Sequence, residues 1–179
     1  MKVSRDQMAK NRGKILEVAG HLFREKGFEA VSVAEVMNAA GLTHGGFYGH
    51  FSSKDDLIAQ TLANLMTGDA TGDFDLSCYI DEYLSPRHRD NPGAGCPTAA
   101  LVADTTRQAQ AARAALTAGM RAQIDRISKS SPGSDSAQKR RAAIGTWAAM
   151  VGAMVLARAS DDPVLSDELL EQTRVWIEA

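Results

Sequence analysis

The chain has 179 residues, of which 44% are hydrophobic and 23% charged, an ordinary globular composition that allows one or two small domains. Its two cysteines, Cys78 and Cys96, lack CxxC spacing, which argues against a disulfide scaffold or a structural zinc site. No apolar run follows the first basic residues, and the longest uncharged stretch, 142–157, is too short to span a bilayer. We therefore expect a soluble cytoplasmic protein that makes no membrane contact and uses no metal or cofactor.

The charge of the chain is unevenly distributed. The net charge is −2, yet residues 1–26 hold seven basic and three acidic side chains and so carry +4. The rest of the chain is therefore acidic. A basic N-terminal segment on an acidic body is typical of a surface that faces nucleic-acid phosphates. A solvated helix face would show the same pattern, so charge alone does not decide between the two.

The first helix is predicted to end at Gly27, where the helical spacing of apolar residues stops. Beyond the glycine, Phe28 can fold back onto Phe23. The start of this helix is open to two interpretations. Ser4 can cap it with its hydroxyl, or residues 2–14 form a basic arm that is partly mobile.

The second helix has a start and a stop signal in the sequence. Ser32, with Glu35 three residues later, forms a capping box that satisfies free backbone donors at a helix start. Gly41 ends the helix because glycine accepts the left-handed conformation of a C-terminal stop. Leu42 can then pack back onto Met37, as in a Schellman motif.

A third short helix is predicted directly after this stop. Thr43 stands where it can cap the helix, and Phe47 and Phe51 lie on one of its faces. Two short helices joined by a tight, glycine-containing turn form a helix-turn-helix, here over residues 32–51. In such a motif the second helix enters the major groove of DNA.

Three glycines weaken this third helix. Gly45, Gly46 and Gly49 each cost about 1 kcal/mol relative to alanine, so the helix would not be stable without Phe47 and Phe51. One interpretation is that the missing side chains let the backbone approach DNA closely. The alternative is that the glycines pack closely against a neighbouring helix.

The stretch GLTHGGFYGHFSSKDDL resembles the TetR family of bacterial transcriptional repressors. The matching residues are Gly41, Thr43, Tyr48, His50, Phe51, Lys54 and Leu57. The resemblance implies that the partner is double-stranded operator DNA and that Tyr48 and Lys54 contact its phosphates. The DNA-binding residues that it implies are Thr43, His44, Gly45, Tyr48, His50 and Lys54. Relatives often carry base-reading side chains where Gly45 and Gly46 stand here.

The predicted fold is all-α, with about nine helices in two parts. A three-helix DNA-binding domain is predicted at 9–69, and a helical bundle for ligand binding and dimerisation at 70–179. The boundary is placed at the glycine-containing break 68–72. In the second part, helices are predicted at 74–84, 98–128 with a break near 105–108, 137–159 and 163–178, and 85–95 is predicted to be a loop.

By resemblance, the helical body holds a pocket for a small-molecule effector. The candidate lining residues are Met66, Phe74, Tyr79, Tyr83, Met120 and Trp147. Because few of them are polar, we expect an apolar or aromatic ligand. The same residues are equally typical of a small helical core.

Cys96 stands at the start of a predicted helix, where a thiol ionises more readily. Since some relatives sense electrophiles or oxidants through a cysteine, Cys96 is a candidate redox sensor. The alternative is that it is a small buried residue at the helix cap. Cys78, inside a helix, is predicted to be inert.

The stretch 142–157 is apolar almost all round, which predicts a helix buried on every side. The resemblance implies that the last two long helices pair with those of a second copy. The candidate interface residues are Gly145, Ala149, Gly152, Leu156, Leu169 and Trp176. An ordinary core within one chain is the alternative.

The function predicted from all these features is a ligand-released repressor that binds a near-palindromic operator as a homodimer. An enzyme is a poor alternative: His88, Asp90 and Cys96 lie in a glycine-rich segment without fixed spacing, and no HExxH, GxSxG or P-loop pattern occurs. A second alternative is a helical interaction or ligand-binding module that has lost specific DNA binding.

Overall fold

The computed structural model describes residues 4–67 and 74–179, and within these ranges it is all-α, without a strand. This confirms the predicted fold class. The elements are α1 (Arg5–Ala30), α2 (Val33–Ala39), a 3-10 helix (His44–Gly49), α3 (Lys54–Met66), α4 (Leu76–Tyr83), α5 (Pro86–Arg89), a second 3-10 helix (Pro92–Ala94), α6 (Pro97–Thr105), α7 (Gln110–Ser130), α8 (Ser136–Ala159) and α9 (Pro163–Glu178).

Local signals set both ends of α1. The Ser4 hydroxyl oxygen accepts a hydrogen bond from the Gln7 N–H at 3.1 Å, so the capped helix, rather than an arm over 4–14, is the structure that forms. At Gly27 the backbone leaves the helical conformation with φ of 78°, as predicted. Phe28 then returns to Phe23, with the ring centroids 5.2 Å apart.

The capping box of α2 forms only in part. The Ser32 hydroxyl oxygen accepts from the Glu35 N–H at 3.1 Å, whereas the Glu35 carboxylate binds Lys26 Nζ at 2.7 Å. The ion pair with α1 therefore replaces the expected return bond to the cap. The stop is the predicted Schellman motif: Gly41 has φ of 69°, and the Leu42 N–H donates to the Met37 carbonyl at 2.8 Å.

The N-terminal helices and the body share one hydrophobic core. Phe23, Phe47 and Phe51 lie in the same buried cluster as Leu101 of α6 and Leu116 of α7. The helix α3 packs along α7, and α1 packs against α6. The predicted domain boundary between residues 69 and 70 lies in 68–73, outside the described residues.

The end of α3 approaches its neighbours closely at two glycines. Leu65 lies against Gly20 of α1, and Met66 lies against Gly119 of α7. A Cβ at either glycine would collide with the α3 side chain. The two contacts fix α3 between the N-terminal helices and the body.

The helices α4, α8 and α9 form a second core. Its fully buried members include Tyr83, Met150, Met154 and Leu170. The break predicted near 105–108 lies between α6 and α7, and the last two predicted helices form with bounds within one residue of those expected. The predicted loop 85–95 is partly wrong, because Ser85 caps the single turn of α5 and Pro92 begins a 3-10 turn.

The prediction that α8 is buried on every side is wrong within a single chain. Trp147, Met150 and Met154 are buried, but Ile144 and Leu156 are exposed on the opposite side. By length and composition alone α8 is long and apolar enough to cross a membrane. This differs from the sequence prediction, in which the uncharged stretch 142–157 was too short to span a bilayer. A core helix passes the same test, and α8 packs against α6, α7 and α9. We therefore assign it to the helical body.

Candidate nucleic-acid interface and effector cavity

The third element of the helix-turn-helix is a six-residue 3-10 helix and not the α-helix that was predicted. Its cap also differs from the expectation. The Thr43 side chain makes no cap hydrogen bond, and its backbone carbonyl instead accepts from the Gly46 N–H at 3.0 Å. Three glycines in six residues remove the propensity that would favour a longer α-helix. The Thr43 hydroxyl is exposed and available for another partner.

Two buried phenylalanines hold this 3-10 helix in place. Phe47 and Phe51 stack with their ring centroids 5.7 Å apart, and both belong to the shared core. The guanidinium of Arg12 lies 4.8 Å from the Phe51 ring centroid, which attaches the segment to α1 as well. Tertiary contacts therefore supply the stability that the local sequence lacks.

Four of the six predicted DNA-binding residues are exposed: Thr43, His44, Gly45 and Tyr48. Tyr48 exposes 73% of its surface while its ring rests edge-on against Phe47, 5.3 Å between centroids. The other two, His50 and Lys54, are half-buried. A rigid ring with a free hydroxyl on the protein surface suits a hydrogen bond to a phosphate.

Close packing does not explain the three glycines. A Cβ at Gly45 would meet no atom within 4 Å, and at Gly46 or Gly49 its nearest neighbours would be at ordinary van der Waals distances of 3.7–3.9 Å. The backbone of this segment is thus uncovered at Gly45. The structure therefore argues against close packing as the reason for the glycines, and the close approach of the backbone to DNA stays a prediction.

The start of α3 is tied to the end of the 3-10 segment by a compact hydrogen-bond network. The Ser53 hydroxyl oxygen accepts from the Asp56 N–H at 3.0 Å, as predicted. The Asp56 carboxylate accepts from Gln60 Nε2 and from the Ser52 N–H, and these bonds lower its pKa below the ordinary value. The network fixes the first turn of α3, from which Lys54 extends.

The body contains a cavity of about 330 Å³ between α3, α4, α6, α7 and α8. Four of the six predicted lining residues lie on its wall: Met66, Tyr79, Tyr83 and Trp147. Phe74 and Met120 are not among its described lining residues, and this part of the expectation is wrong. Both pack instead against the neighbouring core of Ile127, Ala143 and Trp147.

One end of the cavity is polar, which the sequence did not predict. The additional polar lining residues are Glu82, Ser85, Arg87, His88, Asn91, Cys96, Thr98 and Gln123. Most of them come from the segment 82–98, of which 85–95 was predicted to be a loop. No local signal in this sequence indicates that the segment folds back on the body, because the contacts that hold it are made to α1 and α8.

His88 joins three elements at the polar end. Its Nδ1 lies 2.7 Å from the Tyr83 carbonyl oxygen, and its Nε2 accepts from the Cys96 N–H at 2.9 Å. A carbonyl only accepts and a backbone N–H only donates, so the proton of neutral His88 is on Nδ1. Burial lowers the pKa of His88 below its ordinary value, and the charge of Arg158 adds to this.

The wall of the cavity touches α1 directly. Arg24 of α1 donates to the Gly95 carbonyl at 3.2 Å, and Arg158 of α8 donates to the His88 carbonyl at 2.8 Å. Burial lowers the pKa of both guanidinium groups. Gly93 packs so closely on His21 of α1 that a Cβ there would collide with the imidazole ring.

The two cysteines lie in different surroundings. Cys96 is the cap residue of α6, makes no side-chain cap bond, is half-buried and lines the cavity. Cys78 is exposed on α4. The role of Cys96 as a redox sensor stays a prediction. Within residues 4–67 and 74–179 no three His, Cys, Asp or Glu side chains are grouped so that they could hold a metal ion.

A tightly turned helix-turn-helix is characteristic of a class of DNA-binding proteins. In this chain it is attached to a helical body with a partly open cavity. Residues 15–61 match the family described as bacterial regulatory proteins, tetR family. The HTH-type transcriptional repressor KstR2 of Mycobacterium tuberculosis is 33% identical over 60 residues, which are 34% of this chain and 30% of that protein. The uncharacterized HTH-type transcriptional regulator YvdT of Bacillus subtilis is 37% identical over 90 residues, covering 43% and 46% of the two chains.

Solved structures match over nearly the whole chain. Reduced NemR from Escherichia coli superposes with a TM-score of 0.75 at 21% identity, covering 94% of this chain and 95% of that one. A TetR family transcriptional regulator from Agrobacterium tumefaciens gives 0.76 at 20% identity, covering 96% and 97%. At this identity they establish the fold only. Residues 15–61 therefore belong to the tetR family of bacterial regulatory proteins, and the whole chain shares the fold of solved TetR family regulators.

We predict that Gly45→Ala increases the free energy of unfolding by about 0.5–1 kcal/mol. The space around Gly45 is open and its φ is not positive, so alanine gains helix propensity without a collision. Urea denaturation of the purified protein measures the change. As the control, Gly41→Ala at φ of 69° should destabilise by about 1–2 kcal/mol. A destabilising Gly45→Ala would contradict the open environment described above.

We also predict that acid lowers stability through His88. In the unfolded chain His88 takes up a proton near pH 6.5. The folded protein resists protonation, because a proton on Nε2 would displace the bond from Cys96. The unfolded state therefore binds more protons, and the free energy of unfolding falls as the pH drops below about 6.5.

In denaturation experiments across this pH range, the free energy of unfolding should fall less steeply with decreasing pH for His88→Gln than for the unmodified chain. His44→Gln, which changes an exposed histidine, serves as the control and should keep the original slope. Equal slopes for the His88 variant and the unmodified chain would contradict the prediction.

Proposed function

We propose that this protein is a transcriptional repressor that acts in the cytoplasm, binds operator DNA through residues 43–54 and releases it when a small molecule enters the cavity. The observation that carries the proposal is the exposed, rigidly supported segment with Tyr48 on an uncovered backbone, within the part of the chain that matches the family. The homodimer and the small-molecule effector belong to the same proposal.

The residues 43–54 offer different contacts to DNA. The hydroxyl groups of Thr43 and Tyr48 donate to phosphate oxygens, and Lys54 adds a cation at the same end of the domain. His44 is exposed and reaches a base edge or a phosphate, whereas the half-buried His50 supports the segment. Gly45 brings the backbone against the groove, since no side chain separates the two.

A second copy of the chain would cover the exposed apolar face of α8 and α9. All six predicted interface residues are on these two helices, and a shallow groove contains Ala149, Gly152, Leu156, Leu169 and Trp176. Leu156 exposes 56% and Trp176 67% of their surfaces, and a Cβ at Gly145 or Gly152 would meet no atom within 4 Å. Such a contiguous apolar face is a dimer surface rather than a solvated one.

Dimerisation places two DNA-binding segments at a fixed separation, which suits a near-palindromic operator. The cavity wall can alter that separation because Arg24 and His21 of α1 pack on the 93–95 turn. A ligand that moves this turn would shift α1 and the segment attached to it through Arg12. Release follows only if the ligand binds the released conformation more tightly than the DNA-bound one.

Two substitutions in the protein test the DNA interface. Their effect on binding is measured with an operator fragment that the unmodified protein has first selected from genomic DNA. Tyr48→Phe removes one phosphate hydrogen bond from each protomer and should weaken binding by the dimer about 25-fold to 100-fold. Lys54→Ala should weaken binding and lower the slope of log affinity against log salt by about 2 per dimer, about 1 for each lost phosphate contact. Fluorescence anisotropy at several salt concentrations measures both effects.

Lys129→Ala, which removes a charge near the end of α7, is the matched control and should leave the slope unchanged. If neither Tyr48→Phe nor Lys54→Ala alters affinity, residues 43–54 are not the DNA interface. Weak binding without sequence preference in the unmodified protein would instead favour the module that has lost specific DNA binding.

A charged residue introduced at the proposed interface tests the dimer. Leu156→Glu should raise the dimer dissociation constant more than a hundredfold, because an unpaired buried charge costs about 3 kcal/mol or more. Sedimentation velocity over a concentration series measures it. Ala114→Glu, at an exposed position of α7, should leave the dimer intact. A monomeric unmodified protein at high concentration would overturn the proposed interface.

A further inference from the structure

Three buried polar groups on the cavity wall lack a protein partner among the described residues. They are the hydroxyl groups of Tyr83 and Thr98 and the indole N–H of Trp147. The residues expose only 4%, 4% and 7% of their surfaces. Leaving such a group unpaired costs about 1–3 kcal/mol. The three polar atoms have almost no accessible surface, so a small shift of the wall is needed for a bound molecule to accept from them.

These groups favour a ligand that accepts hydrogen bonds. The Trp147 indole can only donate. Burial strongly raises the pKa of the Tyr83 phenol, which therefore keeps its proton, and the Cys96 thiol beside it is only a weak hydrogen-bonding group. The Tyr79 hydroxyl already accepts from Gln123 Nε2 at 2.9 Å, which leaves its own proton to donate.

The electrostatics at the same end favour negative charge. The N-terminus of α6 lies on the wall, and the Cys96 side chain does not cap its free amides. Behind the wall, Arg24 and Arg158 donate to backbone carbonyls, and neither forms an ion pair with a carboxylate in the described part of the chain.

Two carboxylates lie nearby and oppose this field. Glu82 lines the cavity but is exposed, as is Arg87, and the charge of Asp90 acts on Arg158. Asp90 is itself paired with Arg89, whose Nε lies 2.7 Å from Asp90 Oδ1. The buried part of the polar end is therefore lined by donors, and the negative side chains are on its outer side.

Aromatic rings also line the cavity. The ring centroids of Tyr79 and Tyr83 are 5.8 Å apart, and Trp147 is a further lining residue. A volume of about 330 Å³ is at the small end of the range for ligand sites, roughly 300–1,000 Å³. A planar ligand of one or two rings fits such a space.

We propose that the cavity binds a small planar aromatic carboxylate. The ring system lies against Tyr79, and the carboxylate accepts hydrogen bonds from Thr98 at the N-terminus of α6 and from Tyr83 and Trp147 beside it. The proposal rests on the proposed function, in which this cavity is the effector site. It refines the expectation of an apolar or aromatic ligand, because the donors at the polar end require an acceptor group.

Binding is measured by titration calorimetry on the full chain with benzoate and 1-naphthoate, and with benzamide and 1-naphthamide as neutral analogues of the same shape. The acids should bind at least about tenfold more tightly than the amides, since hydrogen bonds to a charged group are stronger. A Trp176→Phe variant leaves Trp147 as the single tryptophan of the chain. Its fluorescence should change when the acid binds.

Two substitutions test the donors. Thr98→Val and Tyr83→Phe should each weaken 1-naphthoate binding about tenfold and affect 1-naphthamide less. Thr61→Val is the matched control, because Thr61 is an equally buried threonine with an unpaired hydroxyl that does not line the cavity. It should leave binding unchanged.

The proposal is overturned if the amides bind as tightly as the acids, if neither acid binds, or if both donor variants bind 1-naphthoate like the unmodified chain. Fluorescence anisotropy of the operator fragment distinguishes failure of the ligand proposal from failure of the proposed function. If 1-naphthoate binds at Trp147 while the operator stays bound, the ligand class stands and release by this ligand fails. If the operator binds while neither acid does, the ligand class fails and the DNA-binding function stands.

Discussion

The packing of the last turn of α3 against α1 and α7 is the constraint on which the rest of the structure depends. Leu65 and Met66 lie directly on Gly20 and Gly119, where any larger residue would collide with them. Through these contacts a single core extends from Phe47 to Leu116. Well-packed interiors move between discrete arrangements rather than deform continuously. A shift of α3 or α1 would therefore move the proposed DNA-binding segment, residues 43–54, with it.

In the proposed DNA-binding segment, residues 43–54, tertiary contacts replace local helix propensity. Its three glycines oppose helix formation, and it forms only a 3-10 helix held by Phe47 and Phe51. As a result, the backbone at Gly45 is uncovered, and the exposed Tyr48 is supported by the buried Phe47. As the proposed DNA interface, this segment offers its backbone and phosphate contacts more than base-reading side chains, which makes shape readout the expected source of specificity.

Polar contacts as well as the shared core join the cavity wall to α1. His88 joins α4 to the start of α6, while Arg24 joins α1 to the turn that precedes it. These bonds are made to two backbone carbonyls and one backbone N–H, so their geometry depends on the path of the 85–96 segment. Tyr83 and Thr98 flank this segment, so the proposed ligand would act on it from both sides, which gives a physical route from the cavity to α1.

The sequence by itself determined the helices and most of their ends. Ser4, Ser32 and Ser53 cap their helices as predicted, and Gly27 and Gly41 take up the positive φ that their positions required. These features are local, since a cap or a stop depends on residues three or four positions apart. For the same reason, the residues that carry the family resemblance could be recognised before any contact was known.

Only the tertiary structure decided which side chains meet. It placed Met66, Tyr79, Tyr83 and Trp147 on one cavity but removed Phe74 and Met120 from it, and it added the polar groups of the 82–98 segment. It also left one side of α8 exposed, although the sequence there is apolar all round. Helical periodicity defines the faces of a helix, whereas the neighbour of each face is set by packing between residues far apart in the chain, which no local pattern encodes.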